Sequence, residues 1–233
     1  MPDAPILSAS VFAAPLGVSA DMGTPARKRP KPGERRTQIL QALAAMLQAP
    51  GGERITTASL AAQLDVSEAA LYRHFASKAQ MFEGLIEFIE QSVFTLVNQI
   101  TERESAAGSA NATQAGGGGA RQAAKIVTML LQFAEKNPGM ARVMVGDALV
   151  FENERLQQRM NLFFDKLEST LKQILRASAA FEPGDSATPT VDAQVRAAAL
   201  VAFAVGRMQR FTRSGFKRLP TEHLDPSLAL FLG

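Results

Sequence analysis

The chain contains no cysteine, which excludes disulfides and thiolate metal sites and makes a reducing cytoplasm its natural setting. Histidine is nearly absent as well. His74 and His223 are the only two, and neither stands at a metal-ligand spacing from an Asp or Glu. No apolar run reaches the length of a membrane span, so no membrane partner is expected. Runs of alternating Val, Ile and Thr between turn residues, which strands would require, are also missing. The four-glycine run that ends at Gly119 lacks the Gly-Lys-Ser/Thr close of a phosphate loop, because Ala120-Arg121 follows it. Asp147, Glu152 and Glu154 are spaced to line a cavity, but such spacing ordinarily marks a solvated helix face. An all-α, non-enzymatic protein without cofactor or metal is the expectation.

What is present is enough apolar material, 46% of 233 residues, to bury a real core. The net charge of +3 is unevenly placed. Residues 27–78 hold nine Lys or Arg against four Asp or Glu, residues 1–26 hold two acids and no base, and the chain after Lys78 balances. A basic head on a neutral body is the electrostatic footprint of a nucleic-acid-binding protein.

The basic excess surrounds the stretch from Ile55 to Lys78. Thr56 or Thr57 is suited to cap a short helix through Leu64, and Ser67 to cap a second one from Glu68 to His74. Asp65-Val66 leaves room only for a tight turn between them, which is the helix-turn-helix pattern. Leu60, Ala61, Leu64, Val66, Ala70 and Leu71 form the inner face. Ser67, Ala69, Tyr72, Arg73 and His74 face outward, where small residues enter a major groove and polar ones reach base edges or phosphates. Ser77 reads as the cap of the next helix, with Lys78 at its first position. The helix dipole disfavours a cation there unless an anion docks beside it, so Lys78 is either a phosphate contact or a solvated lysine.

Around this stretch, residues 1–32 form an extension outside the fold. Pro5 and Pro15 interrupt its apolar part, and no base precedes it, so a secretory signal is rejected. Two readings stay open, a disordered extension or a true start at Met22. Arg27 to Pro32 is a basic arm, either tracking DNA or serving as a solubilising tail. A helix from Gly33, with Ile39, Leu40, Leu43, Met46 and Leu47 on one side and Pro50-Gly51-Gly52 at its end, braces the pair from behind. A head over residues 33–78 and a body over 79–233 follow.

In the body a long helix is expected from Lys78 to about Glu104, with Phe82, Leu85, Ile86, Ile89, Val93, Leu96, Val97 and Ile100 as its stripe. Phe88 falls about 120° from that stripe, and is either a ring the core does not need or one that packs on the bracing helix of the head. Ser105 to Gly119 reads as a flexible loop. Helices follow from Ala120 to about Lys136, from about Phe151 to Ala180, and from Val191 to about Arg218, with a short apolar segment at Met140 to Leu149. Glu182 to Pro189 breaks the chain. So apolar a last helix is either buried inside its own subunit or shared with a second one, and Ala198, Ala202 and Gly206 would let two copies approach across a two-fold axis.

Thr56-Thr57, Val66-Ser67, Leu71-Tyr72-Arg73-His74-Phe75 and Ser77-Lys78 resemble the DNA-binding head of TetR-family regulators. The likeness is strong over residues 33–100, and the rest follows it in helix count and order. Arg54 to Ala58, Ser67 to Phe75, Leu85 to Glu90 and Asn137-Pro138-Gly139 are more narrowly similar to the nucleoid occlusion branch of that family. So are Phe151-Glu152, Arg155-Leu156-Gln157 and Phe211 to Lys217. The N-terminal extension and the glycine-rich loop depart from it.

The resemblance implies a TetR-like fold, a three-helix head on a larger helical dimerisation body. It implies a homodimer on palindromic duplex DNA, cytoplasmic and nucleoid-associated, that engages the C-terminal tail of the division protein FtsZ when on DNA. Thr56, Thr57, Ser67, Ala69, Tyr72, Arg73, His74 and Lys78 would contact DNA. Phe88, Met129, Lys136 and Asn137 would form the partner groove, between the long fourth helix and the one from Ala120. The alternative is a ligand-responsive repressor with a pocket walled by Phe133, Met144, Phe163 and Met208. A protein scaffold with a degenerate head is a third reading, against which the intact basic face argues.

Overall fold

The computed structural model describes residues 33–49, 55–110, 118–150, 152–179 and 189–232. The N-terminal extension, the basic arm, Pro50-Gly51-Gly52, Phe151 and most of Glu182 to Pro189 lie outside the described residues. Among those described, every regular element is helical: α1 (Glu34–Gln48), α2 (Thr57–Gln63), α3 (Glu68–Tyr72), α4 (Lys78–Ala110), α5 (Gly118–Lys136), α6 (Pro138–Met144), α7 (Glu154–Ala179), α8 (Pro189–Arg213) and α9 (Leu224–Leu232). A 3-10 turn spans Asp147–Leu149.

The body is an up-and-down stack. α4 leaves the head and α5 returns; α7 leaves and α8 returns beside it, with α9 lying on α5 and α8. Two hydrogen bonds pin the returning ends near the head. The Thr212 hydroxyl donates to Asp147 (2.9 Å), and the Thr221 hydroxyl donates to Glu135 in the last turn of α5 (2.5 Å). Glu152 pairs with Lys78 and Glu154 is exposed, so the three carboxylates from Asp147 to Glu154 line no common cavity. Phe133, Met144, Phe163 and Met208 are buried in one core that runs without interruption from head to body.

Several boundaries differ from expectation. α4 continues to Ala110 and α5 begins at Gly118, so the expected loop from Ser105 shrinks to residues 111–117, outside those described. Serine and alanine prolong α4 at little cost, and glycine is tolerated in a first turn whose amides are unpaired in any case. α8 stops at Arg213, short of Arg218. Gly215 takes φ 62°, the Phe216 amide donates to the Phe211 carbonyl (2.9 Å) and the Gly215 amide to that of Thr212 (3.1 Å). The Phe211 and Phe216 rings close the motif at 5.2 Å, which is the Schellman ending with its apolar contact. α3 ends at Tyr72 rather than His74, and α9 has no counterpart in the sequence-based expectation.

The head is seated on the body through a close contact. A Cβ on Gly139 would lie 2.0 Å from the carbonyl oxygen of Ala44, so α6 meets the α1 backbone where only glycine fits. Beside it Arg142 donates to the Leu47 carbonyl at 3.1 Å, satisfying a free acceptor at the end of α1. Gly139→Ala should therefore cost about 3 kcal/mol by overpacking and lower Tm by roughly 6–12 °C in a thermal melt of the full chain. An unchanged Tm would show that α1 and α6 do not meet this closely.

Candidate nucleic-acid interface

The helix-turn-helix is built by its caps. The Thr56 hydroxyl accepts from the Ser59 amide (3.0 Å) while the Thr56 amide donates to the Ser59 hydroxyl (3.0 Å), a reciprocal capping box that starts α2. Thr57, one residue on, serves differently, since its hydroxyl donates to the Glu68 carboxylate at 2.5 Å and ties α2 to α3. Asp65 takes the left-handed conformation, φ 52°, and the Val66 amide turns back to the Ala61 carbonyl (3.0 Å). Ser67 then accepts from the Ala70 amide at 3.3 Å and starts α3.

Leu60, Ala61 and Leu71 are buried in the angle between the two helices, and Leu64, Val66 and Ala70 are half-buried around them. The opposite face of α3 is open. Ser67, Ala69, Tyr72, Arg73 and His74 are all exposed, with Tyr72 at 46% a large ring held out in solvent. Thr56 is exposed and Thr57 half-buried. Five residues make α3 short, and Phe75 secures its end. That ring is 1% exposed, with the Arg36 guanidinium 4.3 Å above it, and Arg36 also donates to the His74 carbonyl (3.4 Å). Burying such a ring contributes about 2–3 kcal/mol, so α3 is held from behind and not by its own length.

Ser77 caps α4 by accepting from the Gln80 amide (3.2 Å), and the Gln80 side chain accepts from the Ala76 amide (2.9 Å). Lys78 is not a solvated lysine. Its ammonium pairs with Glu152, just before α7, and lies 5.6 Å from the centre of the Phe82 ring. The carboxylate supplies the negative charge that a cation at a helix start requires. Two more pairs continue between α4 and α7, Glu83 with Arg155 and Glu90 with Arg159 at 3.0 Å. The hydrogen bond that Arg159 donates to Glu90 holds the guanidinium still more firmly protonated than usual.

Among the residues expected to form a partner groove, Met129 and Lys136 stand on one face of α5, and Phe88 lies on α4. Phe88 is half-buried and packs against the core, so it is not a spare ring. It stands one turn beyond Gly84, on the flank of α4 that meets Phe75 and Leu40, a second contact face that a single apolar stripe does not reveal. Met129 lines a groove of about 640 Å³ between α5 and α9, with Ala124, Thr128, Leu228 and Leu232. At the mouth of the groove Arg121 and Lys125 lean onto Glu104. Chiefly through the Lys125 hydrogen bond, its carboxyl is held below the usual range. Lys136 is exposed in the last turn of α5, and the Asn137 side-chain Nδ2 donates to the Phe133 carbonyl at 2.8 Å.

On α8, Ala202 is exposed and Ala198 and Gly206 are half-buried. Val191 and Val195 continue the same stripe at 56% and 61% exposure, which leaves an apolar face of a long helix open on the single chain.

Known proteins share both the head and the body. Residues 39–85 match the bacterial regulatory proteins of the tetR family, and residues 121–232 match the SlmA-like tetracyclin repressor-like C-terminal domain. The chain is 51% identical over 191 residues to the nucleoid occlusion factor SlmA of Idiomarina loihiensis, covering 82% of this chain and 90% of that one. It is 48% identical over 202 residues to SlmA of Aliivibrio fischeri strain MJ11, covering 86% and 95%. Among solved structures, FadR from Bacillus subtilis in complex with stearoyl-CoA superimposes with a TM-score of 0.62 at 14% identity, over 84% of this chain and 97% of that one. FadR from Bacillus halodurans gives 0.61 at 17% identity, over 88% and 97%, and both likenesses speak for the fold alone. With a capped helix-turn-helix, an open α3 face and relatives near half identity along most of its length, the chain belongs to the TetR family of DNA-binding regulators, among the SlmA nucleoid occlusion factors.

Proposed function

We propose that the protein is a cytoplasmic, nucleoid-associated homodimer that binds palindromic chromosomal sites. When bound there it engages the C-terminal tail of FtsZ and blocks division-ring assembly over the nucleoid. The observation that carries the DNA half is the exposed row of Ser67, Ala69, Tyr72, Arg73 and His74 on an α3 that is rigidly held from behind. Thr56 and Thr57 flank that row at the start of α2. Half-sites about one helical turn apart, ~34–36 Å, suit two such heads. The division half rests on the SlmA relatives.

Lys78 enters this reading as a phosphate contact that Glu152 holds in reserve. A DNA phosphate at the start of α4 takes over the role of the carboxylate, and the ammonium moves between the two. Lys78→Ala should weaken all DNA sequences alike and lower the salt slope by ~1 in fluorescence anisotropy titrations. Glu152→Gln removes the competing charge and should tighten binding to random and specific duplexes together. If Glu152→Gln left both affinities unchanged, Lys78 would have no phosphate to turn to.

The open stripe of α8 is the proposed dimer face, with Ala198, Ala202 and Gly206 at the closest approach. A Cβ on Gly206 meets nothing within 4 Å in the single chain, so only a second copy would make glycine matter there. Ala202→Arg is harmless to the isolated fold, because that side chain is exposed, but it places a charge in the seam at a cost of about 3–5 kcal/mol. Sedimentation should then show monomer with an unchanged helical spectrum. An intact dimer would move the interface to another face.

For the FtsZ tail, Phe88, Met129, Lys136 and Asn137 remain the proposed contacts, with Lys136 meeting acidic residues of the peptide. Binding of the tail peptide should be stronger with the DNA site present, since the head and the groove share α4. Lys136→Glu should weaken the peptide by about tenfold and leave DNA binding alone; Phe88→Ala should do the same once a thermal melt shows the head intact. Normal peptide binding by both variants would take the tail away from Phe88 and the end of α5, and a loss in Met129→Ala alone would seat it in the groove between α5 and α9.

A further inference from the structure

A second charged feature lies on the body, unconnected with the helix-turn-helix. Arg207, Arg210, Lys217, Arg218, Glu222 and His223, with Leu219, line a half-open hollow of about 590 Å³ where α8 turns into α9. Four cations face one carboxylate, and that carboxylate is turned toward the His223 ring, 3.8 Å from Nε2. Volumes of this size are ordinary for small-molecule sites.

The frame of the hollow is fixed, with Arg207 built into it, while its other three cations are free. Arg207 donates to the Glu222 carbonyl (2.7 Å) and the Ser227 hydroxyl (3.1 Å), and its guanidinium lies 5.0 Å from the centre of the Phe203 ring. Across the hollow, the Ser214 hydroxyl accepts from the amides of Lys217 (3.1 Å) and Arg218 (2.9 Å) while donating to the Phe211 carbonyl (2.9 Å). Phe216 and His223 hold left-handed backbone, φ 66° and 51°, a conformation that costs a non-glycine residue free energy and persists only where its surroundings enforce it. The side chains of Arg210, Lys217 and Arg218 nevertheless make no hydrogen bond or ion pair with any described residue. Neighbouring like charges repel, and the one carboxylate in the hollow, Glu222, is too few to balance them.

We propose that this hollow binds a small, diffusible anion carrying two or more phosphate groups. Arginine forks match phosphate oxygens two at a time, and Lys217 adds a mobile point charge. Several unpaired cations around a cavity this wide are satisfied by linked phosphates better than by a single one. At 100° per residue, Arg207 stands about 100° around α8 from Gly206, clear of the proposed dimer seam, and Arg210 about 40°, at its edge.

The test is calorimetric titration of the full chain with inorganic tripolyphosphate at about physiological ionic strength. Saturable binding of one anion per chain is expected, weakened at least tenfold in Arg210→Gln/Arg218→Gln. In the charge-matched control Arg176→Gln/Arg196→Gln, at exposed positions elsewhere, it should change less than twofold, and affinity for a DNA duplex should be equal in all three proteins. The absence of saturation in the unaltered chain would overturn the site. So would an equal loss in the control, which would mark general electrostatics. If tripolyphosphate failed to bind while Arg210→Gln/Arg218→Gln lowered the salt slope for DNA, the cations would serve the DNA backbone and the small-anion site would be wrong.

Discussion

The contact of Gly139 with the carbonyl of Ala44 decides how the rest of the molecule works, because it turns two packed bodies into one. α1 braces α2 and α3 from behind; α6 sits against α1; α4 begins in the head and runs on along the body. A methyl group at position 139 would push α1 away by about 1 Å or more. Arg142 closes the same seam by capping α1 at Leu47. The orientation of the α3 face is therefore set by the body, and a body that dimerises would set the distance between two such faces. A head on a loose tether would leave half-site spacing undetermined, and binding would lose the order that fixed geometry provides.

The ion pairs between α4 and α7 act on this frame without carrying it. Arg155 is largely exposed, and a pair of that kind contributes at most about 1 kcal/mol. Lys78 and Glu152 differ in being mostly sheltered, 21% and 11% exposed, and in standing where the head ends. The Glu152 amide donates back to the carbonyl of Leu149, the last residue of the 3-10 turn (3.0 Å), and Asp147 in that turn holds Thr212 at the end of α8. A contiguous set of contacts thus joins the first residue of α4 to the α8–α9 connection. Whatever draws Lys78 away from Glu152 leaves an acid at one end of that set, and the cost falls on the body as well as on the head.

Much of the head is legible in the sequence because its signals are local. A threonine or serine that can cap, three or four residues before an apolar row, specifies a helix start by its own hydrogen bond; Thr56, Ser67 and Ser77 each make that bond. The apolar rows of α1 and α4 are equally plain, since 3.6-residue periodicity follows from burial against a single neighbour. Phe88 shows where that assumption fails. α4 is packed on two sides near the head, so a ring well off the main stripe meets a second surface. Thr57 and Lys78 show a related limit: nothing near them in sequence announces Glu68 and Glu152, the carboxylates that engage them, and Glu152 lies 74 residues from Lys78.

The end of α8 escapes a reading by periodicity for a physical reason. Apolar spacing carries on smoothly through Phe211 and Phe216, and by spacing alone the helix runs on to Arg218. Gly215 overrides it. Once the backbone turns left-handed there, the Phe216 amide reaches back five residues to Phe211, and the two rings meet across the turn instead of lying a turn and a half apart on one helix. The same reversal swings Lys217 and Arg218 back toward Arg207 and Arg210, whereas a continued helix would have carried Lys217 and Arg218 onward past them. A single glycine therefore converts a run of scattered surface cations into the wall of a concave site, and sends the chain on into α9, whose apolar side then has α5 and α8 to cover it.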